Sequence, residues 1–143
     1  MRAVDTNVLV YSEIISSAHH RIARSLLTEF AEGPIPWAIP WPCIYEFLRV
    51  VTHARVFSPP VPMERARHDL DQILASPTLM LLSETERHAD VMKTMVKSSG
   101  VTGNLLHDAH IAALCVEHGI RELVTGDRDF SRFPIPVFNP FVE

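Results

Sequence analysis

Four acidic residues stand where an ordinary solvated carboxylate is out of character. Asp5 interrupts the apolar run "AVDTNVLVY", Glu46 lies inside "CIYEFLRVVTH", Asp108 inside "NLLHDAHIAALCVEHG", and Asp127 follows "ELVTG". Asp108 shares a helix face with Ala112 and Cys115 and is flanked by Leu105 and Ile111, so it projects from a small, apolar surface. A carboxylate there is costly unless it is hydrogen-bonded, paired or bound to a cation. Taken singly, the other three have plain readings. Asp5 with Thr6 and Asn7 suits a helix N-cap or an Asx turn. Glu46 and Arg49 suit a surface pair worth about 0.2–0.5 kcal/mol. Asp127 and Asp129, introduced by Gly126, suit a polar turn.

Taken together they carry another meaning. If the four carboxylates meet at one crevice, each close pair costs about 4 kcal/mol at ~4 Å and an effective dielectric of ~20. Protonation or a cation must relieve that repulsion. All-oxygen ligands point to a hard ion, Mg²⁺ or Mn²⁺. Such an ion activates water, polarises a phosphoryl oxygen and stabilises the leaving oxygen of an in-line displacement. The implied substrate is phosphate.

For the four to converge, the chain must bring distant segments to one edge, and its pattern of elements does so. "RAV" reads as a first strand running into Asp5, with a helix starting at Thr6 or Asn7. A second helix spans roughly His19 to Ala31, with Ile22, Leu26, Leu27 and Phe30 on one face. Trp37 to Ile39 forms a short strand bounded by Pro36 and Pro40, and Pro42 begins a helix with Ile44, Leu48 and Val51 at helical spacing. After the "FSPPVP" loop come a helix over "MERARHDLDQILAS", a strand "TLMLL", a helix over "ETERHADVMKTMVKSSG" and the Asp108 helix, for which Asn104 is the N-cap candidate. Gly100 and Gly119 close the last two. "RELVT" and "IPVFN" finish as strands. This alternation predicts an α/β fold, three-layer α/β/α with a mostly parallel central sheet of about five strands and right-handed crossovers. Ligands in such sheets gather beyond the carboxyl ends of the strands, which is where Asp5 and Asp127 fall.

Composition narrows the class. A chain of 143 residues with 47% hydrophobic content has the size and apolar share of one globular domain, residues 1–143. Its longest apolar runs, "VLVY" and "IAALCV", fall well short of the ~20 residues a membrane helix needs, and the N-terminus lacks the basic region and cleavage site of a signal peptide. A cytoplasmic protein is expected. Cys43 and Cys115 sit in apolar segments and read as buried thiols. A net charge of −4 argues against a uniformly basic nucleic-acid-binding surface, although 11 of the 13 basic residues are Arg, which suits bidentate phosphate contacts.

The four acidic segments, in this order and at these separations, resemble the PIN domain and within it the VapC-type ribonuclease toxins of toxin–antitoxin pairs. The matching stretches are "AVDTNVLVY", "IYEFLRVVTH", "GNLLHDAHIAALCVEHG" and "LVTGDRDFSRFPIPVFNP", which together span nearly the whole chain. The resemblance implies that Asp5, Glu46, Asp108 and Asp127 form the acidic quartet, with Asp5 and Asp108 as direct metal ligands and Glu46 and Asp127 bound directly or through water. Thr6, Asn7 and Thr125 would support them, and Asp129 would be an extra supporting acid. The implied activity is Mg²⁺- or Mn²⁺-dependent endoribonuclease cleavage leaving 5′-phosphate and 3′-hydroxyl ends. The implied partners are RNA, a small cognate antitoxin and a second copy in a homodimer. His107 departs from the family pattern, where a small polar residue is frequent before the third acid.

Rival readings fit less well. A haloacid-dehalogenase-like phosphohydrolase needs a second Asp two positions after the first, where Asn7 stands, and a Lys between motifs, for which only Lys93 and Lys97 are available. A non-catalytic receiver-like domain uses a Lys after a late strand, and none follows Lys97. The eight histidines invite a zinc reading through His107, His110, Cys115 and His118, but neither a Cys-x-x-Cys pair nor His-Glu-x-x-His is present. "DRD" lacks the glycine and later glutamate of a calcium loop. Trp37, Trp41, Met92 and Met95 read as packing residues, and Arg49, Arg128 and Arg132 as either phosphate contacts or partners of Glu46 and Asp129.

Overall fold

A computed structural model describes residues 1–142. Its strands are β1 (Arg2–Val4), β2 (Trp37–Pro40), β3 (Leu79–Leu82), β4 (Glu122–Val124) and β5 (Val137–Phe138). Its helices are α1 (Thr6–Glu13), α2 (His20–Glu32), α3 (Trp41–Val51), α4 (Met63–Leu74), α5 (His88–Ser99) and α6 (Leu105–Glu117), with a 3₁₀ turn at Arg128–Arg132. All strand pairs are parallel, in the order β3-β2-β1-β4-β5. The chain therefore builds outward from β1 to β3, then returns to the other side of β1 for β4 and β5. The reversal leaves a crevice between the carboxyl ends of β1 and β4, the place where ligands bind in open parallel sheets. Helices α1 to α4 pack on one another and α5 packs on α6, the division that right-handed crossovers impose on the two faces.

The short strands are apolar because both faces are covered: Ala3, Val4, Ala38, Ile39, Leu123 and Val124 are all fully buried. At the amino end of the sheet Arg2 pairs with Glu122 at 2.8 Å, across the β1–β4 register, and lies over the rings of Phe30 and Phe138. Helix α6 buries Ala109, Ile111, Ala112, Ala113, Leu114 and Cys115, an almost all-round apolar helix that belongs in the interior. Helix α3 buries Cys43, Ile44, Phe47 and Val51, and that stripe fixes the helix rotation that turns Glu46 toward the crevice. Replacing Phe47 by Ala would cost about 3–5 kcal/mol and loosen that rotation.

Several local expectations differ from the structure. In α2 the inward stripe is Ala23 and Leu27, whereas Ile22 is exposed. Helix α5 starts at His88, because Thr85 gives its backbone N–H and hydroxyl to Glu117 Oε1 at 2.9 and 2.8 Å and so holds residues 84–87 as a loop. Asn104 occupies the N-cap position of α6 in an αR conformation without capping it through its side chain. Gly100 and Gly119, at φ 66° and 64°, end α5 and α6 in the left-handed conformation that L side chains avoid. Among the described residues no helix is long and apolar enough to cross a membrane. Cys43 and Cys115 are free and buried, and Trp37 is buried against Phe30 with its Nε1–H donating to Ser76 Oγ at 3.2 Å.

Candidate active site

Asp5 directly follows β1 and is the N-cap residue of α1, but its side chain makes no capping bond to the helix. Its backbone N–H donates to Val124 O at 3.0 Å, extending the β1–β4 ladder. The carboxylate instead turns into the crevice, where Thr125 Oγ1 donates to Oδ2 at 2.7 Å and Cys43 Sγ donates weakly to Oδ1 at 3.6 Å. Burial pushes the Asp5 carboxyl up to about 6. Hydrogen bonds from Thr125 and the Thr6 backbone pull it down, and the charges of Glu46 and Asp127 raise it further.

Thr125 is the hub of this arrangement. Fully buried at the end of β4, its hydroxyl donates to Asp5 and accepts from Asn7 Nδ2 at 3.3 Å and from the Asp127 backbone N–H at 3.0 Å. Asn7 in turn accepts from the Gly126 N–H at 3.1 Å. Gly126 lets the Phe141 ring approach closely, since a Cβ there would meet Phe141 Cδ2 at 2.9 Å and push the ring aside. Asp127 caps the 3₁₀ turn by accepting from Asp129 N at 2.8 Å. The turn reading of the sequence holds for this residue, and its other oxygen remains available.

Asp108 projects from the first turn of α6, half-buried. Burial, then the charges of Asp127, Asp5, Asp129 and Glu46, push its carboxyl up to about 7. Glu46 forms no ion pair with Arg49 among the described residues, whereas Arg132 does reach Asp129, at 3.4 Å. Asp5, Glu46, Asp108 and Asp127 line one cavity of about 220 Å³ together with Thr6 and Asn7. One oxygen each from Asp108, Asp127 and Asp129 lies within 4.8 Å of the other two. Asp129 joins this group of oxygens without lining the cavity itself. No spacing in the sequence marks Cys43 as a neighbour of Asp5. The Thr6 backbone N–H bonds to the Asp5 carboxylate, while the buried Thr6 hydroxyl has no hydrogen-bond partner among the described residues.

The donor set fits a hard divalent cation. Four carboxylates face the cavity, two of them held above their ordinary range by burial and mutual repulsion, and among the described residues no cationic side chain lines it to offset them. Arg49 and the exposed His107 line a neighbouring cavity of about 370 Å³ that shares Glu46 with the acidic crevice.

A family model described as PIN domain matches residues 2–136. "Ribonuclease VapC37" of Mycobacterium tuberculosis (strain ATCC 25618 / H37Rv) is 37% identical over 133 residues, covering 93% of this chain and 92% of that protein. In three dimensions the chain resembles VapBC2 from Rickettsia felis, solved bound to a DNA fragment from the promoter, with a TM-score of 0.68 at 22% identity over 96% of this chain and 97% of the other. It also resembles Mycobacterium tuberculosis VapC20, described as a Sarcin-Ricin loop cleaving toxin, with a TM-score of 0.66 at 18% identity over 92% and 93% of the two chains. At those identities the two structures speak for the fold.

Proposed function

The chain belongs to the PIN-domain family, and on that premise we propose that it is a single-domain, metal-dependent endoribonuclease, the toxin of a toxin–antitoxin pair. The observation that carries this reading is the convergence of Asp5, Glu46, Asp108 and Asp127 on one cavity at the switch point of the sheet. The ribonuclease designation of relatives at 33–37% identity supports the activity.

Asp5 and Asp108 would hold a Mg²⁺ ion, or Mn²⁺, with Glu46 and Asp127 reaching it directly or through water and Asp129 beside them. When bound, the ion supplies water activation and stabilises charge on the phosphoryl and leaving oxygens. The protein's own groups set the stage for in-line hydrolysis. The oxygen of water bonds to phosphorus, the bond to O3′ breaks, O3′ takes up the proton that the water loses, and the products carry 5′-phosphate and 3′-hydroxyl ends. Thr125 and Asn7 fix the Asp5 carboxylate and the backbone of the β4 turn, so that the acids are aimed before substrate arrives. Without the ion, the acidic crevice repels the phosphodiester.

The partners we assign are RNA as substrate, a small cognate antitoxin and a second copy of the chain. The VapBC assemblies among the structural relatives support the antitoxin. The test is purified protein with labelled RNA in Mg²⁺ or Mn²⁺, with and without EDTA, alongside Asp108→Asn. Metal-dependent cleavage that EDTA and Asp108→Asn abolish is the expected result. No cleavage in either metal, or full activity of the variant, overturns the reading.

A further inference from the structure

A second group of ligand-type side chains meets outside the acidic crevice, where the loop after β3 crosses α5 and α6. One donor atom each from Glu84, His88 and His110 lies within 4.8 Å of the other two. Glu84 comes from the loop, His88 is the first residue of α5 and His110 lies on α6, so linear spacing could not disclose the group.

The orientation of His88 gives the cluster its chemistry. Its Nδ1 lies 2.7 Å from Oε2 of Glu117, a carboxylate whose side chain is 0% exposed and whose Oε1 already accepts from Thr85. An ionised carboxylate only accepts, so the neutral His88 ring carries its proton on Nδ1 and leaves the Nε2 lone pair for a ligand. A carboxylate fixing the tautomer of an imidazole in this way is the usual backing of a metal-ligating histidine. The His88 and His110 rings stand 5.3 Å apart at 60°, and His110 Nε2 contacts Glu84 Oε1 at 2.8 Å. A surface His–Glu hydrogen bond accounts for Glu84 and His110, and the buried Glu117 carboxylate for the Nδ1 side of His88, but neither uses His88 Nε2.

A tetrahedral ion with ligands at ~2.0–2.1 Å spaces neighbouring donors by about 3.3 Å. The Glu84–His110 pair, at 2.8 Å, must open by about half an ångström and His88 draw within that spacing, and Glu84, with a half-exposed side chain on a loop, is free to adjust. Two imidazoles and one carboxylate suit zinc and its neighbours, not the hard ion of the all-carboxylate crevice. Glu84 and His110 also line the cavity that His107, Tyr45, Arg49 and Glu46 share, which leaves room for water in the fourth position.

We propose that Glu84, His88 and His110 form a site for one zinc-class divalent ion, completed by water, that fastens the loop after β3 and the start of α5 to α6. This site is independent of the ribonuclease reading. Its test is Zn²⁺ titration by calorimetry and Co²⁺ visible absorption on the Asp5→Asn/Asp108→Asn protein, in which the crevice is disabled, and on His110→Gln and Glu84→Gln in that background. One equivalent of Zn²⁺ should bind, with imidazole ¹⁵N shifts at His88 and His110, and either further substitution should weaken binding by about tenfold or more. Because both added substitutions fall on partly exposed side chains, circular dichroism should show an unchanged fold. No Zn²⁺ binding to the crevice-disabled protein, or binding that His110→Gln leaves intact, overturns the proposal.

Discussion

Thr125 donates its hydroxyl hydrogen to Asp5 Oδ2 over 2.7 Å, although 120 positions separate the two residues. This bond joins the ends of β1 and β4 across the crevice and aims the buried carboxylate. Thr125→Val keeps the shape but removes the hydroxyl, leaving Asp5, Asn7 and the Asp127 N–H short of a partner. The expected result is a loss of about 1–3 kcal/mol in stability and about 10–100-fold in cleavage rate, with Thr125→Ser restoring both. Denaturant melts and initial rates check this, and a fully active Val variant would remove Thr125 from the site.

Asp5→Asn should separate stability from activity. The Asp5 carboxyl is raised from 3.8 to about 6 by burial, so the folded protein binds the proton more tightly than the unfolded chain. Its contribution is therefore fully present below pH 3.8 and is lost as pH rises through about 6. The metal-free wild type should lose on the order of 3 kcal/mol across that window. Asn stays neutral, so metal-free Asp5→Asn should melt higher than metal-free wild type at pH 8, the gap closing toward pH 4, while cleavage disappears. Mg²⁺ should raise the melting temperature of the wild type and leave the variant unchanged.

Glu46→Gln addresses an acid that the sequence also allowed as half of a surface pair. Having no ion pair with Arg49, its half-buried side chain contributes little to stability. Cleavage should fall by about tenfold or more with an unchanged melting temperature. Wild-type rates would place Glu46 outside the metal site.

A second pH effect belongs to Glu13, whose buried Oε1 has no hydrogen-bond partner among the described residues. Burial, then the neighbouring Asp69 carboxylate, raise its carboxyl from 4.5 to about 7, against the pull of Arg65 and Arg24. Its stabilising contribution is present below pH 4.5 and lost as pH rises through about 7. Glu13→Gln should gain about 1 kcal/mol at pH 8.5 after discounting for solvent screening, and nothing at pH 4. Urea melts at the two pH values decide it, and an equal effect at both would show that the charge is not the cause.

The sequence by itself determined the alternation of strands and helices, the carboxyl-edge positions of Asp5 and Asp127 and the misplaced carboxylate of Asp108. Each is written in local periodicity and in the cost of burying charge, which need no knowledge of distant contacts. The strand order was another matter. That β1 and β4 are neighbours, with a crevice between them, follows from how crossovers pack, and only this adjacency makes Thr125 the partner of Asp5. The rotation of α3 likewise decided that Glu46 lines the crevice instead of pairing with Arg49, because buried Phe47 and Val51 outweigh an exposed ion pair. Residues 84–87 read as helix until Glu117 captured Thr85 and turned them into a loop. The same buried carboxylate fixed His88 beside His110 and Glu84, a meeting of three segments whose chemistry no linear spacing records.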